Sequence, residues 1–322
     1  MIARRGRLDP VVARARSAVR DLLATAPPRP VQVALSGGAD SLALLAVTAF
    51  VADRSGTPVR AVIVDHGLQT GSDQVAETAA GQSARLGVDA SIVRVEVDPT
   101  GAGPEAAARD ARYAALHRAA EVDDARILLA HTLDDQAECV LLGLGRGSGP
   151  RSLAGMRPVS GRLLRPLLGL RRADTEQVCR AHGLRWWDDP HNLDPRLRRV
   201  RVRHELLPLM EQVLGGGVAE ALARTASLSA EDADLLDRLA AERATDETDA
   251  LAELPRALRT RVLRAAAVDA GADGGELSAA HVAEMERMVV DWHGQKRVEL
   301  PGGVSAVRDR NRLRFVPTVV AG

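Results

Sequence analysis

The sequence predicts an α/β protein: a parallel sheet covered by helices, followed by a smaller, mostly helical C-terminal domain. Two observations carry this reading. In the first half, short β-prone runs alternate with helix-period segments, the pattern of parallel strands joined by helical crossovers. After the glycines at 215–217 the texture changes to Ala, Leu, Glu and Arg at helical spacing, which sets the expected domains at 1–214 and 218–322.

The elements follow in order. The start, "MIARRGRLDPVVARARSAVRDLL", reads as a surface helix, since it has arginines but no apolar signal core. "VQVAL" (31–35), "RAVIVD" (60–65), "ASIVRVEV" (90–97) and "ARILLAH" (125–131) are strands, and helices are expected at 41–54, 74–86 and 105–120. Gly143 to Gly161 is rich in Gly, Ser, Pro and Arg and reads as a long loop. "RRADTEQVCRAHGL" is helical, "WWDDPHNLDPR" turn-rich, and "LRRVRVRHELLPLMEQV" leads to the triple glycine. Residues 218–290 form a helical bundle, and "KRVELPGGVSAVRDRNRLRFVP" reads as a β-meander.

Bulk properties exclude several classes. The 322 residues are 46% hydrophobic, with 43 basic and 43 acidic side chains, so net charge alone does not indicate a nucleic-acid partner. Cys139 and Cys179 form no C-x-x-C pair, against a disulfide framework or a zinc ribbon and in keeping with a reducing cytoplasm. The longest apolar run, Leu42 to Ala52, is shorter than the ~20 residues of a membrane helix.

"SGGADS" (36–41) stands where the first strand gives way to a helix. Such a turn aims backbone N–H groups into one concavity at the positive end of the helix, an anion cradle. Asp40 and Ser41 sit where they can cap the helix or, with a metal, hold a phosphate chain. The lysine of the common P-loop is missing. The string S-G-G-x-D-S resembles the PP-loop of the ATP pyrophosphatases, which split ATP into AMP and pyrophosphate. The resemblance implies ATP held by Ser36, Gly37, Gly38, Ala39, Asp40 and Ser41, largely through backbone amides.

"VDHGLQTGSDQ" (64–74) and "AHTLDDQAE" (130–138) follow the second and fourth strands. With "EAAARDARYAAL", "GRGSGPRSLAGM", "RPLLGLRR" and "WWDDPHNLDPRLRRVRVRHELLPLM", their order and spacing resemble those of the tRNA(Ile)-lysidine synthases over roughly residues 30–210. "VELPGGV" in the tail is a weaker match to that family's C-terminal domain. The resemblance implies that free L-lysine is joined through its ε-nitrogen to C2 of the wobble cytidine of a CAU-anticodon isoleucine tRNA, using ATP and Mg2+. It implies two steps: the C2 oxygen becomes an AMP ester, and the amine then displaces AMP.

Site candidates follow. Helical periodicity sets Asp134, Asp135 and Glu138 together at the expected ligand edge, suited to magnesium on phosphates or to an ammonium whose pKa of about 10.4 must be overcome. The resemblance assigns Asp135 and Glu138, with Asp134 and Gln136 beside them, to lysine, and Asp40 and Asp134 to the metal and phosphates. Arg109 and Arg112 lie one helical turn apart and suit a leaving phosphate or the base, Arg112 with the stronger family match. His66 and His131 end strands at the ligand edge. "RLRRVRVR" (196–203) holds five arginines and, with Arg165, Arg171 and Arg172, reads as a basic patch for a phosphate backbone. Asn192, Asp194, Arg199 and Arg203 match a family block, which implies tRNA binding or closure over the ATP pocket. Trp186 and Trp187 read first as core packing.

The chain departs from the family pattern at Pro190-His191, Leu197, Val200, Thr132 and Cys139, none of them assigned to chemistry. Alternatives are a PP-loop enzyme that thiolates tRNA, for which the cysteines are wrong; a non-catalytic nucleotide-binding module; and an amide-forming ligase needing no arginine patch. The sequence leaves oligomeric state open, a homodimer included.

Overall fold

The computed structural model describes residues 9–67, 71–96, 104–146, 150–295 and 297–318. Residues 1–8, 68–70 and 147–149, which belong to segments read above, and Lys296 lie outside them.

In chain order the elements are α1 (Pro10–Leu23), β1 (Val31–Ala34), α2 (Ala39–Ser55), β2 (Val59–Asp65), α3 (Ser72–Arg85), β3 (Asp89–Arg94), α4 (Pro104–Glu121), β4 (Arg126–Leu128), α5 (Leu133–Gly145), α6 (Pro150–Leu153), β5 (Val159–Ser160) and β6 (Leu163–Leu164). Then come α7 (Arg172–Ala181), α8 (Arg198–Arg201), a π turn (Val202–Leu206), α9 (Leu207–Leu214), α10 (Val218–Ala241), α11 (Thr248–Glu253), α12 (Arg256–Asp269), α13 (Ala279–Val290) and β7 (Val298–Leu300), β8 (Val304–Asp309) and β9 (Arg312–Pro317).

The chain forms two compact units, residues 1–142 with 155–224 and residues 143–154 with 225–322. The triple glycine at 215–217 therefore lies inside the first unit and not at its edge. The reason is packing: Val218 and Ala219, just after it, are buried with Leu133, Ala137 and Leu141 of α5.

The first unit is built on a six-stranded sheet in the order β3-β2-β1-β4-β6-β5, parallel except for the β5–β6 pair. The stretch read as a long loop thus supplies α6 and an edge of the sheet. From β1 the chain runs outward through β2 and β3, then returns to the other side of β1 as β4. That reversal opens a crevice at the carboxyl ends of β1 and β4, where ligands of open α/β sheets bind. One face of the sheet carries a core shared by α1, α2, α3 and α7, and the other carries Leu116 and Ala120 of α4. Residues 41–48 of α2 are all buried, so this helix is covered all round. Gln32, fully buried in β1, donates to Leu116 O at 3.0 Å and accepts from Arg60 at 3.0 Å, so its amide is satisfied on both sides.

In the second unit, residues of α10–α13 and the antiparallel meander β7-β8-β9 share one core. The buried Glu286 carboxylate is neutralised by Arg256 at 2.9 Å and Arg259 at 2.8 Å. Gly302 turns the chain between β7 and β8 at φ 86°, and a Cβ there would lie 2.7 Å from Gly271 O. Among the described residues, no helix is long and apolar enough to cross a membrane.

Leu45 of α2 is fully buried. Leu45→Ala is expected to cost about 2–5 kcal/mol, seen as a lower urea midpoint at unchanged slope.

Candidate active site

The loop after β1 is shaped by its own small side chains. Gly37 sits at φ 86°, a conformation that any Cβ would strain. Ser41 Oγ donates to Gly38 O at 3.0 Å and accepts from the Ser36 amide at 3.2 Å, closing the turn. The Trp187 amide donates to Gly37 O at 3.0 Å, and Cys179 Sγ of α7 donates to Ala39 O at 3.2 Å. No side chain caps α2, whose N-cap is Gly38, so its first turn faces the crevice without a side-chain acceptor.

Asp40, in that first turn, accepts from Thr175 Oγ1 at 2.5 Å and has Arg172 Nε 3.5 Å from its other oxygen. Burial pushes its carboxyl up, against the pull of Arg172 and Thr175. Of the two α7 partners, Arg172 was expected only in a basic patch and Thr175 was not singled out at all. Thr175 is 135 positions from Asp40, and only a local R-R-x-D-T pattern marks the spot.

The loop after β4 leads into α5, and here the predicted carboxylates separate. Asp135 is buried, with one oxygen accepting from Thr132 N at 2.8 Å and Thr132 Oγ1 at 2.9 Å. Its other oxygen lies 3.3 Å from Arg203 and 3.6 Å from Arg172. Burial would raise the Asp135 carboxyl, but the Thr132 amide and Arg172 more than offset it and hold it below the usual range. Glu138 is fully buried; Arg203 Nε lies 2.5 Å from one oxygen, and Arg203 Nη2 and Arg199 Nε lie each 3.1 Å from the other. Burial nevertheless leaves its carboxyl above the ordinary value. Arg199 and Arg203, four residues apart, present one face to the same carboxylate.

Asp134 does not join them. Its oxygens accept from the Arg172 amide at 2.8 Å and meet Arg171 at 3.0 Å, which ties α5 to the start of α7. Gln136, expected beside the lysine, instead clamps the backbone: its amide donates to Met156 O at 3.0 Å and accepts from Met156 N at 2.7 Å.

The basic string is likewise no open strip of positive charge. Arg196 pairs with Asp194, Arg201 with Glu205, and Arg199 and Arg203 with Glu138, while Arg171 and Arg172 hold Asp134, Glu220, Asp40 and Asp135. Arg109 lies exposed over the Tyr113 ring at 4.9 Å; Arg112, one turn on, is half-buried, and its guanidinium is pushed down by burial. Trp186 packs against the core, as its composition class suggests.

Several buried groups at this edge have no hydrogen-bond partner among the described residues: His66 Nδ1, His131 Nδ1, Arg165 Nε, Arg172 Nε and Arg199 Nε. Of these, Arg172 Nε and Arg199 Nε stand within ion-pair reach of Asp40 and Glu138, while the His66, His131 and Arg165 nitrogens suit a polar ligand. Both histidines are uncharged at neutral pH. Burial, then Arg112, lowers His66, and burial brings His131 down to about 4 although Asp135 opposes it, with Arg165, Arg199 and Arg112 adding to the fall. Among the described residues no cluster of three or more His, Cys, Asp or Glu is placed to hold a metal ion. A magnesium ion here would need oxygens from bound phosphates, with Asp40 beside them, which is how this ion is commonly held.

His131 binds a proton more weakly folded than unfolded, so stability rises with pH across the window between the two values. It is expected to fall as pH drops from about 6.5 towards about 4 and to level off below. His131→Gln should flatten that slope in urea midpoints taken at half-unit intervals.

Comparison with known proteins agrees with this geometry. Residues 12–210 match the family described as PP-loop domain, and residues 247–314 match the TilS substrate binding domain. A tRNA(Ile)-lysidine synthase of Leifsonia xyli subsp. xyli is 53% identical over 306 residues, covering 91% of both chains. One from Thermobifida fusca is 52% identical, over 91% of this chain and 94% of its own. One from Mycobacterium tuberculosis is 53% identical over 82% of each. Among solved structures, the U34-tRNA thiolase NcsA from Methanococcus maripaludis matches with a TM-score of 0.57 at 18% identity, over 69% of this chain and 80% of that one, a likeness of fold alone. With half its sequence shared with these relatives along nearly its whole length, the chain belongs to the tRNA(Ile)-lysidine synthase family.

Proposed function

We propose that the chain joins free L-lysine through its ε-nitrogen to C2 of the wobble cytidine in an isoleucine tRNA with the anticodon CAU. ATP is split to AMP and pyrophosphate, which makes the enzyme a ligase forming a carbon–nitrogen bond. The observation that carries the reading is the pair Asp135 and Glu138, buried at the carboxyl end of the sheet beside the phosphate loop.

The steps divide between the two sides of the crevice. On the β1 side, the residue 36–41 turn and the α2 N-terminus hold the phosphates, with Asp40 towards a magnesium ion that neutralises phosphate charge. The cytidine C2 oxygen attacks the α-phosphorus and pyrophosphate leaves. Arg112, with uncharged His66 and His131 nearby, faces the adenylated base and the departing AMP. On the β4 side, Asp135 and Glu138 orient the ε-nitrogen for attack on C2. The wobble base lies in a single-stranded loop and is read after it is splayed out. The catalytic part is assigned to residues 1–214, and residues 218–322 help hold the tRNA. Reaction in the cytoplasm follows from the substrates.

Thiolation is the nearest rival, and cysteine chemistry speaks against it. Burial pushes the Cys179 thiol up to about 12, and its sulfur is spent on Ala39 O. Cys139, half-buried on α5, has no second cysteine beside it in the sequence.

Radiolabelled lysine, with ATP and magnesium, is expected to become bound to CAU-bearing tRNA in a form stable to mild alkali, which removes aminoacyl esters. Asp135→Ala and Glu138→Ala should each reduce the label by about a hundredfold or more. No label from a protein shown to bind ATP would sink the assignment.

A further inference from the structure

The nitrogen of lysine attacks only as a free amine, yet with a pKa of about 10.4 only about one molecule in 2,500 carries it at pH 7. A general base would solve this, but the side chains at the site do not offer a good one. His131 is held uncharged, its Nδ1 is buried, and three arginine charges bear on it. Glu138 has both oxygens engaged by arginines and no exposed surface through which to pass a proton on.

Counting charge gives another solution. The groups facing the space beside Asp135 and Glu138 are Asp40 on α2, Arg112 on α4, His131 before α5, Asp135 and Glu138 on α5, Arg165 after β6, Arg172 on α7, Arg199 on α8 and Arg203 in the π turn that follows it. Asp40, Asp135 and Glu138 are matched by Arg172, Arg199 and Arg203, through ion pairs of 2.5–3.6 Å. Arg112 and Arg165 add positive charge and His131 none. The cluster is therefore already positive without its substrate.

We infer that Arg203, with Arg172 and Arg199, makes this site receive the lysine ε-nitrogen as the uncharged amine, so that the nucleophile is selected in its reactive form and needs no general base. The inference rests on the proposed placing of lysine at Asp135 and Glu138.

Hydrogen-bonding capacity leads to the same result. An ammonium brings three donors and a charge, whereas an amine brings two donors and a lone pair. Glu138 accepts from Arg203 on both oxygens, with the Arg199 charge 3.1 Å from one of them, and one Asp135 oxygen is taken by Thr132. Acceptor capacity remains chiefly on Asp135 Oδ1, where Arg203 and Arg172 stand off at 3.3 and 3.6 Å. That suffices to orient an amine and leaves its lone pair free for C2. Expelling Arg203 to make room for an ammonium would strand a largely buried guanidinium, its side chain 17% exposed. The proton leaves for bulk buffer before docking; the N–H bond breaks and its electron pair stays on nitrogen. Arg203 is thus a positioning residue that acts through the two carboxylates.

The test reads the protonation state of the bound substrate directly. Lysine labelled with 13C at the ε-carbon is bound to the full-length protein with magnesium and a non-hydrolysable ATP analogue, and the carbon resonance is followed at pH 7.5. Wild-type protein is expected to hold lysine at the free-base shift, and the KM for lysine in turnover should fall about tenfold per pH unit from pH 7 to 9. Arg203→Gln removes one positive charge, so bound lysine should return to the ammonium shift, the KM slope should flatten, and kcat should become the quantity that rises with pH. Arg203→Lys keeps the charge and should restore the wild-type shift. If Arg203→Gln does not fold, Arg199→Gln serves as the second variant, with the same expectation. An ammonium shift in the wild type, with binding that depends on Asp135 and Glu138, overturns this inference and leaves the proposed function standing. Binding indifferent to Asp135→Asn and Glu138→Gln overturns the lysine placing, and this inference with it.

Discussion

Carboxylates taken out of water must be matched, and in the first unit one chain of ion pairs does this for three of them. Asp40 of the phosphate loop meets Arg172; Arg172 meets Asp135; Asp135 meets Arg203; and Arg203 meets Glu138, which Arg199 closes from the other side. The helices α2, α5 and α7 and the α8 segment are each held by at least one of these contacts. Buried ion pairs are a weak source of net stability, because desolvation takes back most of the attraction. Their value here is geometric. Removing any member leaves a charge without its partner, so the relative placing of four segments is enforced by the cost of every alternative.

The same chain joins the two halves of the proposed reaction. The phosphate side and the lysine side share α7, whose Thr175 and Cys179 hold the start of α2 while Arg171 and the Arg172 amide hold Asp134 of α5. α7 thus sets the distance between the phosphate cradle and the carboxylates. Turnover in which an activated base waits for an amine gains from this rigidity, since misplacement of one reacting group costs rate steeply.

Much of this was legible in the sequence, and the gaps have physical causes. β1, β2 and β4 stood out because buried parallel strands are written as apolar runs, and β3, an edge strand without a buried residue, showed through its β-branched residues. β5 and β6 did not, because strands of two residues carry no periodicity to read. Asp135 and Glu138 were visible as a helical pair. Asp134 was grouped with them because periodicity reports a face and cannot report that donors on α7, 38 positions away, turn that side chain outward. The arginine string was read as free charge for the same reason: a sequence shows the arginines, but not the carboxylates the fold brings to them. Thr132 passed only as a departure from the family pattern, although its amide and hydroxyl together hold Asp135.

Gln136 also does more than its position in the motif implies. It grips Met156 through both donor and acceptor, and Gly155, at φ 58°, lies so close to that amide that a Cβ would stand 2.7 Å from its oxygen. The excursion from the end of α5 is therefore a leash with a fixed return. β5 begins three residues after Met156, so this clamp fixes where the chain enters that edge of the sheet. A side chain at Gly155 would be strained by its φ of 58° and would press on the very amide that makes the grip, so backbone conformation and clamp are linked through one residue that carries no side chain.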